Sequence, residues 1–178
     1  LNRRYSADCR AEEFFLGCGA APELAAVFAA LAVPEGELVV IAPYFPEYKV
    51  FAQGAGLKFR EVAPDVPDFQ IRLEAVEAML TPHTQAVLIN SPNNPSGVVY
   101  TRQTLRALAD LLGRRSREFG HPIYLVSDEP YRELAYGVEV PFVPAIYPDT
   151  LVCYSYSKSL SLPGERIGYV YVPRQCAD

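Results

Sequence analysis

The stretch SYSKSLSLPGERIGYVYV, residues 155–172, follows the apolar run Leu151–Tyr154 and closes in a second apolar run, Ile167–Val172. It sets one lysine, Lys158, among four serines, with Arg166 eight residues further on. The flanking runs, rich in Val, Ile and Tyr, read as strands. A lone lysine is ordinarily a solvated surface group. One placed just beyond the carboxyl end of a sheet strand lies where open α/β sheets bind ligands, so what surrounds it decides its reading.

Working outward, short segments at Phe14–Leu16, Leu38–Ala42, Lys58–Glu61, Ala86–Asn90 and Ile123–Ser127, most of them apolar, complete a set of seven strand candidates. Several are almost continuously apolar, as expected when helices cover both faces of a mostly parallel sheet. Helical patterns separate them. Pro22–Leu31 carries a proline in its first turn, and Tyr44–Gln53 ends at the glycines 54 and 56. Arg72–Leu80 is followed closely by Pro82, and Thr101–Phe119 opens on Thr101, which can cap its first turn, and is followed by Gly120. Alternating strands and helices predict a three-layer α/β/α arrangement. Pro141–Pro148 reads as a proline-rich loop into the sixth strand. No repeat, low-complexity linker or domain boundary interrupts the pattern, so a single domain is expected over 1–178.

The bulk properties narrow the function classes. Half of the 178 residues are hydrophobic, enough for a sizeable core. With 16 basic and 21 acidic residues the net charge is -5, and no basic run occurs; this argues against nucleic acid or an anionic membrane as partner. Apolar runs are broken by charged, polar or proline residues before they could span a bilayer, and no secretory segment follows LNRRYSADCR. Cys9, Cys18, Cys153 and Cys176 lack C-x-x-C spacing, which predicts reduced thiols in a cytoplasmic protein. LNRRYSAD reads as the end of a helix already under way, and little follows the last strand. The expectation is a piece of a longer polypeptide.

Beyond the carboxyl ends of the strands come GCGAAP, PYFPEY, NSPNNPSG, SDEPY and SYSKSLSLPGER. No GxGxxG or Walker pattern is among them, so a dinucleotide or P-loop site is poorly supported. What they do offer suits pyridoxal phosphate, which needs a lysine for its Schiff base and an acid at its pyridinium nitrogen. Arg166 supplies a forked, charge-assisted partner for the phosphate, and helix N-termini supply further N–H donors. Taken singly the same residues have plainer readings. Asp128 suits a turn or cap, Asn94 before Pro95 a turn, Tyr131 and Phe45 packed aromatics, and Arg166 an ion pair.

The order of Ser155-x-Ser157-Lys158 with Arg166-x-Gly168 downstream, preceded by NNPSG and DEPY, resembles the large domain of class I/II aminotransferases. These are fold-type I pyridoxal-phosphate enzymes related to aspartate aminotransferase, and the resemblance covers nearly the whole chain. It implies a seven-stranded sheet with six strands parallel and the last antiparallel between the first and the rest. It also implies an aminotransferase moving an amino group from an amino acid to a 2-oxo acid. Lys158 would form the internal aldimine and shuttle the proton. Asp128 would meet the pyridine nitrogen, Tyr131 and Asn94 the phenolic oxygen, and Ser155 and Arg166 the phosphate, while Phe45 stacks on the ring. Gly19, Ala20 and Ala21 stand where many relatives carry phosphate-binding hydroxyls, leaving backbone N–H groups to serve. A homodimeric full-length form, an N-terminal segment and a C-terminal small domain are implied as well. A decarboxylase or carbon–sulfur lyase of the same fold, or a cofactor-binding piece inactive in isolation, needs the same residues.

Overall fold

Alternate residues of the central strands enter two different cores, and this parity organises the molecule. The structure, a computed structural model, describes residues 1–66 and 68–177. Its strands are β1 (Phe14–Gly17), β2 (Glu37–Ile41), β3 (Lys58–Val62), β4 (Thr84–Asn90), β5 (Tyr124–Asp128), β6 (Thr150–Ser155) and β7 (Gly168–Tyr171). The helices are α1 (Asn2–Tyr5), α2 (Ala20–Leu31), α3 (Glu47–Gly54), α4 (Leu73–Met79), α5 (Arg102–Phe119) and α6 (Tyr156–Ser159). One sheet runs in the order β1-β7-β6-β5-β4-β2-β3. β7 is antiparallel to both β1 and β6, and every other pairing is parallel. The topology is the one expected from the sequence.

Successive side chains of a strand point to opposite faces. Val39, Ile41, Val87, Ile89 and Leu125 accordingly pack with Val76 of α4 and Leu105, Leu108 and Leu112 of α5. Leu38, Val40, Ala86, Leu88 and Val126 face the other way, onto Leu24 and Phe28 of α2 and Tyr48 and Ala52 of α3. β2 and β6 are buried along their whole length, which is why they read as continuous apolar runs.

The helix boundaries depart from expectation where proline chemistry intervenes. The predicted Tyr44–Gln53 helix begins only at Glu47. Phe45 precedes Pro46, and the residue before a proline is excluded from helical backbone angles. Phe45 is thereby kept in the loop between β2 and α3. α2 starts two residues ahead of Pro22, on Gly19, since a proline is tolerated throughout a first turn whose N–H groups lack intrahelical partners. α5 is capped as expected: Thr101 accepts from the Thr104 N–H at 3.0 Å, and Gly120 closes the helix in the left-handed region. The Pro141–Pro148 loop contains one 3-10 turn, Val143–Ala145. No helix of the described residues is long and apolar enough to cross a membrane.

Candidate active site

At the carboxyl end of the sheet a cavity of about 320 Å³ opens between α2, the β2–α3 loop, the β4 and β5 ends, and α6. Ala20, Ala21, Phe45, Asn94, Asp128, Tyr131, Ser155, Lys158 and Arg166 all line it. Of the residues singled out in the sequence, only Gly19 is absent from the wall; it lies directly behind Arg166. The cavity also has six wall residues not singled out as binding residues: Leu24, Tyr48, Asn90, Pro130, Ser157 and Pro163.

One side of the cavity brings Ser155, Ser157 and Arg166 together opposite the start of α2. β6 ends at Ser155, whose hydroxyl caps α6 by accepting from the Ser157 N–H at 3.2 Å and donates to Ser157 Oγ at 2.8 Å. Arg166, with φ of 51°, folds back from the α6–β7 loop, and its Nη1 donates to Ser157 Oγ at 3.4 Å and to the Pro163 carbonyl at 3.1 Å. Facing this group is the start of α2, whose first-turn N–H groups have no intrahelical acceptor. Its N-cap, Gly19, has φ of 95°, and a Cβ there would lie 2.6 Å from Arg166 Nη2. The backbone angle favours glycine there, and a Cβ would in addition displace the tip of the Arg166 side chain.

Across the cavity, Asp128 ends β5, 5 % exposed. Its Oδ2 accepts a hydrogen bond from the Tyr48 hydroxyl, while Oδ1 has no partner among the described residues. Burial pushes this carboxyl up to about 7; the Tyr48 hydrogen bond opposes the rise and the charge of Glu129 adds to it. Asn90 ties two walls together. Its Nδ2 donates to the Asp128 carbonyl at 2.9 Å, and its Oδ1 accepts from the Asn94 N–H at 2.7 Å. The NNPSG turn is closed by Asn93 Oδ1, which accepts from Ser96 N and Ser96 Oγ at 2.9 and 2.8 Å. Burial and the charge of Asp128 raise the Tyr131 phenol, and a hydrogen bond with the Asn94 side chain opposes them; the hydroxyl is a donor at neutral pH. Lys158, an exposed residue of α6 that lines the cavity, has its Nζ 5.9 Å from the Tyr131 ring centroid.

The sequence pointed to Tyr48 only as part of PYFPEY. Its one usable signal was its place three residues after Phe45, which the α3 start brings to the same cavity. The rings of Phe45 and Tyr48 meet edge to face at 5.6 Å.

Residues 2–178 match the family described as aminotransferase class I and II. Among curated proteins, the chain is 35% identical over 170 residues to the aspartate/prephenate aminotransferase of Thermus thermophilus, covering 92% of this chain and 42% of that protein. An amino transferase structure from Eubacterium rectale superposes with a TM-score of 0.98 at 52% identity, over 100% of this chain and 45% of the other. The aspartate aminotransferase structure from Thermotoga maritima gives a TM-score of 0.86 at 34% identity, over 96% and 45%. The chain thus spans less than half the length of the relatives it matches. On the family match over almost every residue, and on the shared fold, the chain belongs to the class I and II aminotransferases.

Proposed function

We propose that the full-length protein containing this chain is a pyridoxal-phosphate-dependent aminotransferase, moving an amino group from an amino acid to a 2-oxo acid. The observation that carries the reading is the convergence of Lys158, Asp128 and the Ser155–Ser157–Arg166 group on one cavity in a chain of this family. The residues fit the cofactor chemically. The unpartnered Asp128 Oδ1 suits a protonated ring nitrogen, and the cradle of Arg166 over Gly19 suits a phosphate dianion.

Bound pyridoxal phosphate supplies an electron sink for charge developing at the substrate α-carbon. Lys158 would hold the cofactor covalently, and its Nζ would be the group that takes and returns the substrate α-proton. Asp128 holds the ring nitrogen protonated. Tyr131, supported by Asn94, donates to the phenolic oxygen. Ser155, Arg166 and the N–H groups of Ala20 and Ala21 bind the phosphate, with Gly19 leaving room for the guanidinium. Phe45 covers one ring face and excludes water. The reading extends to a homodimeric full-length form, supported by family membership. It also extends to a cytoplasmic setting, with which the absence of disulfides among the described residues is compatible.

A donor and acceptor screen on the full-length protein with added cofactor tests this. An amino acid is expected to change the absorbance of the bound cofactor, and a 2-oxo acid to restore it. Lys158→Ala should abolish the protein-linked band and reduce turnover by about 10²–10⁴-fold. Release of carbon dioxide or a thiol would reassign the protein to a decarboxylase or lyase of the same fold. The 178-residue chain alone is expected to turn over little, and ordinary turnover by it would refute that part.

A further inference from the structure

We propose that Tyr48 is a positioning residue for Asp128: it engages Oδ2, leaves Oδ1 for the ring nitrogen, and keeps the proton of that pair on the nitrogen rather than on the carboxylate. The inference rests on the cofactor reading above and adds a residue to it. Tyr48 is only 1 % exposed, fixed at the first turn of α3 by its contact with Phe45. Its hydroxyl makes the single hydrogen bond to the Asp128 carboxylate found among the described residues.

The groups that act electrostatically on Asp128 make this donor consequential. Glu129 lies next to it on the chain, Glu23 approaches from α2, Tyr131 from the cavity wall, and Cys153 from the neighbouring strand β6. All four are acids, and none stabilises a negative charge at Asp128. Without a donor, the buried carboxylate would compete with the pyridine nitrogen for the proton, and the electron sink would weaken. A hydroxyl on Oδ2 lowers the proton affinity of the carboxylate without supplying a charge that would repel the ring. The Tyr48 phenol is itself held well above its usual range by burial and by Asp128, so it remains a donor at neutral pH. Asn90, holding the Asp128 carbonyl, fixes the backbone end of the same residue.

The experiment uses the full-length holoenzyme loaded with pyridoxal phosphate labelled with ¹⁵N in the ring, read by the nitrogen chemical shift at neutral pH. The parent protein should give the protonated-ring signal. Tyr48→Phe should lower the ratio of protonated to unprotonated ring by about tenfold, the size expected of one hydrogen bond to a charged group. Replacing Tyr48 by 3-fluorotyrosine strengthens the donor and keeps the packing; the ring should stay at least as protonated as in the parent. An unchanged signal in Tyr48→Phe, or loss of ring protonation with fluorotyrosine, would overturn the positioning role. If Tyr48→Phe does not fold, the fluorotyrosine protein decides the matter alone. If the parent protein fails to bind the cofactor, the reading of the site falls and this inference falls with it. Normal binding with an unaltered Tyr48→Phe signal removes only the inference.

Discussion

Gly19 shows how a single residue can serve a site without offering it a functional group. Its φ of 95° is a backbone conformation that side chains rarely adopt, and a Cβ there would meet the tip of Arg166, Nη2, at 2.6 Å. Gly19→Ala should therefore strain the start of α2 and push the guanidinium aside. We expect the affinity for pyridoxal phosphate to fall by at least about tenfold, of the order of one charge-assisted hydrogen bond. Binding of pyridoxal, which has no phosphate, should change little. Equal losses for the two ligands, measured by titration of the full-length protein, would show that the substitution disturbs the whole cavity rather than the anion cradle. The residues whose place in the cavity was best read from sequence were those fixed by position along a strand: Lys158 after β6, Asp128 at the end of β5, Asn94 after β4. Tyr48 was not legible, since its partner lies 80 positions away. Only the packing of α3 on the sheet brings the two together.

Among the elements, the central strands β2, β4 and β5 were legible because a parallel strand covered on both faces reads as an apolar run, while the edge strand β3, with three charged residues, was legible only by its place in the alternation of strands and helices. The short helix α6 was not, because its four residues are polar and its cap, Ser155, belongs to the strand before it. α3 was misplaced at one end because hydrophobic spacing at Tyr44 and Phe45 resembles a helix, while Pro46 forbids one there. α5 is the opposite case, marked at both ends and amphipathic between. Its N-cap hydrogen bond from Thr104 N to Thr101 Oγ1 should be worth about 1 kcal/mol. Thr101→Ala is expected to lower the unfolding free energy by that amount in a urea titration. Thr101→Ser should restore most of it, as a hydroxyl alone meets the requirement. A serine variant as unstable as the alanine one would mean that the Thr101 methyl group, and not the cap, matters.

At the scale of the whole molecule, two buried carboxyls on the same core face make the fold sensitive to pH. Glu23 of α2 lies against Gly17 and Gly168, where a Cβ on either glycine would come within 2.8 and 2.6 Å of its Oε1. Neither oxygen makes a well-formed hydrogen bond among the described residues. Burial raises this carboxyl from its usual 4.5 to about 7, with the Gly19 N–H only moderating the rise, and Asp128 rises from 3.8 to about 7 in the same interior. Both groups bind protons more tightly folded than unfolded. Their cost is absent below about pH 4, grows as pH rises toward 7, and levels off above it. Glu23→Gln should therefore gain stability over the parent progressively across that window, by on the order of 3 kcal/mol at pH 8. Urea titrations of both proteins from pH 4 to pH 8 measure the difference directly. Bound pyridoxal phosphate should remove the Asp128 share, because a protonated ring nitrogen pairs with that carboxylate, while leaving the Glu23 share in place. A difference between Glu23→Gln and parent that does not vary with pH would show that Glu23 titrates alike in the folded and unfolded chain, and that burial does not raise its pKa.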